Sequence, residues 1–379
     1  MSFIVFLLIV LSIYTAMHCL VYWGIYPLLA GHPVGRIAVA VWMALMIVTP
    51  VIIHLLEDRG IELPARILAW VGYFWLALIF LALWPFAVIG LYEIVNLLLS
   101  KVIAAVPRFS IHGTVSAGIV MALTVAATIY GFAEASNIRV ETVRITTEKL
   151  PADTDRLRVA QVSDIHLGLM NREGTLAPIV LKLLHLEPDL LVATGDVVDG
   201  EIGHLDGLSD LWKKVDPPLG KYAVVGNHEI YAGLDGATDF LTRSGFRVLR
   251  NTGRAIGNKL TVVGVDDQHL GITDNRELSI LTQNRSDRFT LYLKHRPTVA
   301  AGAAERFDLQ VSGHAHGGQI FPFNFITRLE YPMNHGLHAL PGGGKLYVSR
   351  GTGTWGPPIR IGAPPEITLF EITRSETAG

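Results

Sequence analysis

An apolar run that ends in a glycine and an acid constrains this chain most: residues 190–200 read LLVATGDVVDG. The unbroken apolar segment Leu190–Ala193 is typical of a strand buried on both faces. Gly195 permits a sharp backbone turn, and Asp196 follows at the carboxyl edge of the sheet, where open α/β sheets bind ligands. A carboxylate at that edge with no neighbouring Lys or Arg indicates a cation site. A helix N-cap is the alternative interpretation of the same aspartate.

Charged residues are distributed unevenly along the 379 residues, because the first 130 contain only nine of them. A bilayer is crossed by about 18 or more apolar residues. Four stretches of this part meet that length: Phe3–Tyr26, Arg36–His54, Ile67–Ile89 and Gly113–Phe132. We therefore predict a polytopic, all-α transmembrane domain of about four helices at 1–133, a linker with an entry strand at 134–156, and a globular domain at 157–373.

Two features of the membrane half leave alternatives open. The segment Ile89–Ser100 either lies in the membrane interface as an amphipathic helix or extends the third span at a tilt. Four spans place both chain ends on the same side of an inner or plasma membrane. The distribution of Arg and Lys around the spans favours a cytoplasmic globular domain. The first span lacks a positively charged start and a cleavage site, so we interpret it as a retained helix.

The globular half alternates apolar strands with helices, which predicts a layered α/β domain. The strand candidates are 137–147, Leu157–Val162, Leu190–Ala193, Tyr222–Val225, Phe246–Leu249, Leu260–Val265, Phe289–Leu293, Leu309–Val311, Leu346–Val348 and Glu366–Ile372. The helix candidates are Thr175–Leu186, Leu205–Lys214, Leu234–Ser244 and Thr298–Glu305. The net charge of −2 and the absence of a Lys/Arg cluster argue against nucleic acid as a partner, and no protein partner is evident.

Five strand ends carry residues that bind metals. The residues are Asp164, His166, Asp196, Asn227, His228, His295, His314 and His316. Their mixture of imidazole and carboxylate suits Mn, Fe or Zn better than Ca or Mg. Eight candidates are too many for one ion, so the sequence predicts two divalent metal ions at one sheet edge.

The order of these blocks (DIH, GDVVD, GNHE, a single His and GHAH) resembles the calcineurin-like metallophosphoesterase family across Leu157–Ile372. The resemblance implies a four-layered α/β/β/α sandwich with the site at the sheet edges. It assigns Asp164, His166 and His316 to one metal and Asn227, His295 and His314 to the other. Asp196 would bridge the two metals.

The resemblance also implies two residues that act beside the metals. Asp199 would orient a neighbouring imidazole. His228 would protonate the leaving oxygen or stabilise the phosphoryl charge. A metal-bound hydroxide would attack phosphorus, so no covalent intermediate is expected.

Two stretches near the end of the chain have open interpretations. The segments His314–Phe323 and Gly351–Arg360 together resemble the membrane-anchored branch of the family, which includes UDP-2,3-diacylglucosamine pyrophosphatases of lipid A synthesis. At the second segment, Arg350 or Arg360 holds a substrate phosphate, or an arginine forms a salt bridge in a rigid Gly/Pro loop. The apolar run Phe321–Phe325 rests on lipid or belongs to the core. For Asp266 and Asp267, a turn or N-cap role is favoured over metal binding.

The sequence as a whole predicts a membrane-bound, metal-dependent hydrolase of a phosphodiester or pyrophosphate, with a lipid-linked phosphate of the UDP-2,3-diacylglucosamine type as substrate. One alternative is a general phosphodiesterase or phosphomonoesterase tethered to the membrane. The other, from a different class, is a non-catalytic metal-binding sensor or transport protein. The complete set of ligand candidates together with His228 argues against the latter.

Overall fold

The computed structural model describes residues 3–103, 105–200, 202–205 and 207–375. These residues form two compact units. One unit contains the described residues up to Ala133 together with Gly356–Pro358. The other runs from Glu134 to Trp355 and resumes at Ile359.

The first unit is helical. Its elements are α1 (Phe3–Leu29), α2 (Pro33–Glu57), α3 (Glu62–Val102) and α4 (Thr114–Ala135). All four helices are long and apolar enough to cross a membrane. Helix α3 continues without a break through 89–100, so this segment extends the third predicted span. At 1.5 Å per residue, α3 is about 60 Å long, roughly twice the thickness of a bilayer's hydrocarbon core.

His18 is the polar residue buried within α1, and its neighbours satisfy both ring nitrogens. Its Nδ1 lies 2.7 Å from the Tyr14 carbonyl oxygen, and the Trp75 indole donates to its Nε2 at 2.9 Å. A neutral imidazole meets both contacts, with the proton on Nδ1. His18 therefore contributes to packing inside the helix bundle.

The second unit alternates strands with helices. Its strands are β1 (Arg139–Thr147), β2 (Arg156–Val162), β3 (Leu190–Thr194), β4 (Lys221–Val224), β5 (Phe246–Val248), β6 (Thr252–Ile256), β7 (Leu260–Gly264), β8 (Phe289–Leu293), β9 (Leu309–Ser312), β10 (Gly336–Ala339), β11 (Lys345–Val348) and β12 (Glu366–Arg374). Its α-helices are α5 (Glu173–Leu186), α6 (Leu208–Lys213), α7 (Asn227–Tyr231), α8 (Leu234–Arg243), α9 (Asp274–Gln283) and α10 (Asn324–Glu330).

Within the described residues these strands form two six-stranded sheets, ordered β1-β12-β2-β3-β4-β5 and β10-β11-β9-β8-β7-β6. Strands β2, β3 and β4 are mutually parallel, as are β7, β8 and β9. The carboxyl ends of parallel neighbours share one edge of their sheet. The loops that carry the metal-ligand candidates therefore leave each sheet on a common side.

The two sheets pack face to face. Val192 and Phe370 of the first sheet share one apolar cluster with Leu291 and Val311 of the second. Helices α5, α6 and α8 cover the outer face of the first sheet, and α9 covers that of the second. The predicted four-layered α/β/β/α architecture, preceded by about four apolar helices, is confirmed.

Two local differences from the sequence prediction occur at glycines. The helix predicted at Thr298–Glu305 is wrong, because only Ala303–Glu305 forms a 3₁₀ turn. Gly302 precedes this turn with a φ of +75°, which interrupts any helix. Gly207, with a φ of +78°, separates the 3₁₀ turn Ile202–Leu205 from α6, so the helix predicted at Leu205–Lys214 is shorter. Strands β6 and β10 and helices α7, α9 and α10 were not predicted.

Candidate metal centre

The backbone at the sheet edges adopts an unusual conformation. Among the described residues, eight other than glycine have a positive φ, and five of these are predicted metal ligands: Asp164, His166, Asp196, His314 and His316. Such conformations cost energy and cluster at functional sites. Hydrogen bonds between the loops hold them here, from the Asp164 N–H to the Gly195 carbonyl and from the His166 N–H to the Asp196 carbonyl, both 3.0 Å.

Asp164, His166 and His316 form the first group of potential ligands. The Nε2 atoms of the two histidines lie 3.1 Å apart, and Nε2 of His316 is 3.5 Å from Oδ1 of Asp164. Asp164 is fully buried, and both of its oxygens lie within hydrogen-bonding distance of the His314 N–H. Burial raises the pKa of the Asp164 carboxyl, and the nearby Asp196 carboxylate acts in the same direction.

Asp196, His295 and His314 form the second group, and Asn227 borders it. Nε2 of His295 lies 3.1 Å from Oδ2 of Asp196, 3.2 Å from Oδ1 of Asn227 and 3.1 Å from Nδ1 of His314. Nε2 of His295 thus faces the Asp196 carboxylate, the Asn227 amide oxygen and the His314 imidazole at the same time. Asp196 also belongs to a third set with His166 and His228, so it lies next to both groups, as a bridging ligand must.

The electrostatics of the second group centre on Asp196 and His295. Burial alone would disfavour their charges, but the imidazole holds the pKa of the Asp196 carboxyl well below its usual range. In return, Asp196 raises the pKa of His295 to about 10. Burial and the positive charges of His295 and Arg296 lower the pKa of His314 to about 2, so His314 is neutral. A cation that binds here replaces the proton between Asp196 and His295.

Asp199 contacts two histidines through a single oxygen. Its Oδ1 lies 3.1 Å from Nδ1 of His166 and 2.7 Å from Nδ1 of His228. Burial lowers the pKa of His228, but the hydrogen bond to Asp199 and the nearby carboxylates outweigh it and raise that pKa to about 9. His228 is therefore a protonated imidazole at the rim of the two groups, in the state that an acid catalyst requires.

Glu229 is a site residue for which the sequence predicted no role. It is fully buried, and its two oxygens accept hydrogen bonds from the backbone N–H groups of Gly226, Asp196, Val197 and Val198 at 2.7–3.1 Å. This one carboxylate ties the turn after β3 to the turn after β4. The spacing from Gly226 to Glu229, which is that of a capping box, could have identified it.

Arg296 is a second residue without a predicted role. Its Nη1 lies 3.0 Å from Nε2 of His314, and its Nη2 lies 3.4 Å from Oδ1 of Asn227. Asp267 anchors it by accepting from Nε at 2.8 Å, and the same carboxylate group accepts from the His269 N–H. The N-cap role favoured for Asp267 is thus confirmed. Arg296 orients two of the predicted ligands of the second group.

The residues present fit two divalent cations. His166 contacts the Asp199 carboxylate through Nδ1, and His295 contacts the Thr194 carbonyl through Nδ1 at 2.8 Å, so each directs Nε2 towards its group. Ligating histidines are typically fixed in this way through their second nitrogen. All seven predicted ligands therefore lie together: Asp164, His166 and His316 in the first group, Asp196, His295 and His314 in the second, and Asn227 at the border of the second.

The two arginines predicted to bind substrate have partners inside the protein. Arg360 has no exposed surface and donates to the carbonyls of Gly353, Arg350 and Ala363. A substrate phosphate cannot reach it, so its predicted substrate role is corrected to a structural one. Arg350 pairs with Glu366 and Glu141, which matches the alternative of a salt bridge in a rigid loop.

The predicted ligands fall within a region that matches a known family. The family model for calcineurin-like phosphoesterase matches residues 157–318. An uncharacterized metallophosphoesterase of Aquifex aeolicus is 41% identical over 250 residues, which cover 64% of this chain and 95% of that protein. The chain belongs to the calcineurin-like metallophosphoesterase family.

Animal relatives of this metallophosphoesterase combine the domain with a membrane part. A transmembrane protein with metallophosphoesterase domain from Danio rerio is 30% identical over 290 residues, covering 72% of this chain and 65% of that protein. A protein of the same description from Bos taurus is 33% identical over 248 residues, covering 60% of this chain and 56% of that protein. The family and the candidate metal groups together support a metal-dependent phosphoester hydrolase.

Proposed function

We propose that this metallophosphoesterase hydrolyses a phosphodiester or pyrophosphate carried by a membrane amphiphile, of the UDP-2,3-diacylglucosamine type used in lipid A synthesis. The observation that carries this proposal is an exposed apolar surface directly after the metal-ligand loop. We call it the apolar patch; it consists of Phe321, Phe323, Phe325, Ile326 and Leu329.

The side chains of the apolar patch are strongly exposed. Phe325 is 57% exposed and Leu329 is 85% exposed, and both lie on helix α10. The patch follows the turn His316–Gly318, which contains a predicted metal ligand, by a few residues. Contiguous exposed apolar side chains mark binding surfaces for lipids, ligands or proteins. Of the two interpretations left open for Phe321–Phe325, lipid contact agrees with this exposure better than core packing does.

The chemistry assigned to the site is metal-assisted hydrolysis. Asp164, His166 and His316 would hold one divalent ion, and Asn227, His295 and His314 the other, with Asp196 shared. We propose Mn, Fe or Zn for both. Such ions supply a hydroxide at neutral pH and polarise phosphoryl oxygens. Asp199 keeps His228 protonated, so that its imidazolium delivers a proton to the leaving oxygen.

The test compares one lipid substrate with one soluble substrate. Purified full-length protein with added Mn is given UDP-2,3-diacylglucosamine in liposomes, and separately bis-p-nitrophenyl phosphate. We expect UMP release from the lipid, lost in Asp196→Ala. The double variant Phe325→Ser/Leu329→Ser is expected to lose activity on the lipid while it retains activity on the soluble ester. Leu181→Ser removes a 57% exposed side chain of α5 and serves as the matched control.

Other outcomes separate the alternatives. Cleavage of the soluble ester alone supports a general phosphodiesterase or phosphomonoesterase tethered to the membrane and contradicts the lipid-linked substrate. A protein that binds metal but hydrolyses neither substrate, and whose cellular function survives His228→Ala, supports the sensor or transport alternative instead.

A further inference from the structure

The helical unit contains a groove that is apolar along its floor and charged at its rim. It has a volume of about 360 Å³, within the range of small-molecule sites. Helices α1 and α3 and the segment that connects α3 to α4 contribute to it. The lining side chains that matter here are Trp23, Gly90, Glu93, Ile94, Leu97 and Arg108.

Glu93 uses one carboxylate oxygen to order the connecting segment. Its Oε1 accepts hydrogen bonds from the Ser110 hydroxyl at 2.9 Å, the Ile111 N–H at 2.7 Å and the His112 N–H at 2.9 Å. Within the described residues nothing donates to its Oε2. The donors on Oε1 are all neutral, so the groove retains a full negative charge and an oxygen that can accept further hydrogen bonds.

Arg108 supplies the opposite charge. Its side chain is exposed, and within the described part of the chain it forms no hydrogen bond or ion pair, with Glu93 or with any other residue. The groove therefore presents an anion and a cation that do not neutralise each other. A ligand that carries both an ammonium and a phosphate complements this pair.

The surrounding aromatic side chains indicate that this pair lies at the depth of lipid headgroups. The imidazole of His112 stacks on Trp23 with ring centroids 4.0 Å apart, and its Nε2 lies 3.0 Å from the Trp23 carbonyl oxygen. Trp23 lies near the end of α1, where aromatic side chains of membrane helices meet the interface. Ile94 and Leu97 extend along α3 from the charged pair and offer an apolar surface to an acyl chain.

We propose that this groove binds an aminophospholipid of the phosphatidylethanolamine class from the surrounding membrane. The primary ammonium donates to Oε2 of Glu93, the phosphate pairs with Arg108, and an acyl chain lies against Ile94 and Leu97. Phosphatidylglycerol lacks the cation and brings a net negative charge next to Glu93. Phosphatidylcholine has the same net charge, but its quaternary ammonium has no N–H to donate. The site is independent of the proposed hydrolysis.

The experiment measures lipid retention by native mass spectrometry. Delipidated full-length protein in mild detergent is mixed with equal amounts of phosphatidylethanolamine, phosphatidylcholine and phosphatidylglycerol with identical acyl chains. We expect phosphatidylethanolamine to be retained about fivefold over each of the others, the size of effect that a single favourable ion pair produces. Glu93→Gln keeps one oxygen for the Ser110, Ile111 and His112 donors but loses the negative charge, so it is expected to abolish the preference. Arg108→Gln is expected to lower retention of all three lipids, because each of them carries the phosphate. Lys101→Gln on α3 is the matched control for Arg108→Gln and should leave retention unchanged.

A second pair of variants tests the apolar floor. In Gly90→Leu, the added Cβ meets the Trp23 ring at 3.6 Å, an ordinary contact, and the rest of the side chain fills the groove. Gly118→Leu on α4 has nothing within 4 Å of its added Cβ and is the control. We expect retention of all three lipids to fall in Gly90→Leu but not in Gly118→Leu. Equal retention of the three lipids by the unmodified protein, a preference for phosphatidylglycerol, or a preference that survives Glu93→Gln would overturn the proposal.

Discussion

At the scale of the residue, the proposed role of His228 as proton donor, together with its pairing with Asp199, predicts the pH range of the reaction. The carboxylate raises the pKa of His228 to about 9 against the effect of burial, and proton donation requires the protonated imidazole. We expect kcat/KM to stay constant up to about pH 9 and to fall at higher pH, where His228 loses its proton. In Asp199→Asn the pKa of His228 returns towards the ordinary value of about 6.5, so the alkaline limb moves to lower pH.

The measurement is the pH dependence of kcat/KM for bis-p-nitrophenyl phosphate, with the divalent metal saturating at every pH. Asn keeps an oxygen for the His166 contact, which separates the charge of Asp199 from its role as an acceptor. His228→Asn is the control and should lack the limb altogether. An alkaline limb at the same pH in Asp199→Asn would show that His228 does not produce it.

Gly226 shows how closely the site is packed. A Cβ added there would lie 2.2 Å from Oδ1 of Asp196 and 2.8 Å from the Asp196 backbone nitrogen. Its φ of −100° suits any residue, so the obstacle is space and not backbone strain. We expect Gly226→Ala to displace the Asp196 carboxylate and to reduce bound metal, measured by elemental analysis, together with activity. Gly174→Ala, with nothing within 4 Å, is the control and should retain both.

Sequence reasoning located the ligand candidates because their residue types stand directly at the ends of apolar runs. Asp196 after Leu190–Ala193 is the clearest example. Sequence reasoning did not predict roles for Glu229 and Arg296, because these roles depend on contacts with turns that are distant in the chain. Glu229 binds backbone groups 31–33 residues earlier, and Arg296 meets His314 through a neighbouring strand end. Arg360 was misassigned because sequence reveals an arginine near a site but not that carbonyls surround it.

At the scale of the element, the fully buried strands were predictable, whereas two largely exposed strands, β6 and β10, were not. Leu190–Thr194 and Phe289–Leu293 are apolar and fully buried, so their composition identifies them. Thr252–Ile256 and Gly336–Ala339 are largely exposed, and their strand conformation comes from pairing with β7 and β11. Tertiary pairing of this kind leaves little trace in local sequence.

The contacts of Arg350 join two strands of the first sheet, so they favour a structural role for this residue over substrate binding. It bridges Glu141 on β1 and Glu366 on β12, and Glu366 is 1% exposed. Arg350→Gln leaves this buried carboxylate without its cation, so we expect the free energy of unfolding to fall by about 3 kcal/mol. Arg144→Gln removes an exposed pair with Glu371 on the same two strands, so its cost should be well below this.

The two arginine variants are compared by thermal unfolding in detergent and by steady-state kinetics on the soluble ester. If Arg350 has a structural role, Arg350→Gln should have a lower melting temperature than the unmodified protein. At temperatures below that melting point, its KM should be unchanged. A raised KM at a temperature where the variant is fully folded would restore Arg350 to the substrate-binding residues.

At the scale of the whole molecule, the two units of the chain have surfaces suited to different solvents, a lipid bilayer for the first and water for the second. The helices of the first unit expose Leu, Ile and Val along their length, as Val34 at 79% and Val115 at 78% illustrate. The second unit buries such residues in sheet-to-sheet and sheet-to-helix cores, and the apolar patch on α10 stands out against that surface. The low charge content of the first 130 residues predicts the exposed apolar helices of the first unit. The apolar patch can be identified only from the fold, which shows which apolar residues of the second unit are not covered by another layer.

Sidedness is the remaining prediction at this scale, and a single thiol can test it. The only cysteine is Cys19, so Cys19→Ser provides a background without thiols. Four spans would place both chain ends on one side, and the Arg and Lys distribution predicts that this side is the cytoplasm. In this background we introduce Asn258→Cys, at an exposed turn of the second unit, or Gly31→Cys, at the exposed turn between α1 and α2.

A membrane-impermeant maleimide should label Gly31→Cys in intact cells. It should label Asn258→Cys only after permeabilisation, because that turn would face the cytoplasm. The reverse pattern would place the metal centre outside the cytoplasm and would exclude a cytoplasmic UDP-linked lipid as its substrate. Labelling of both positions from one side would contradict the three spans between Gly31 and Asn258 and would require one of the helices α2, α3 and α4 to lie outside the bilayer.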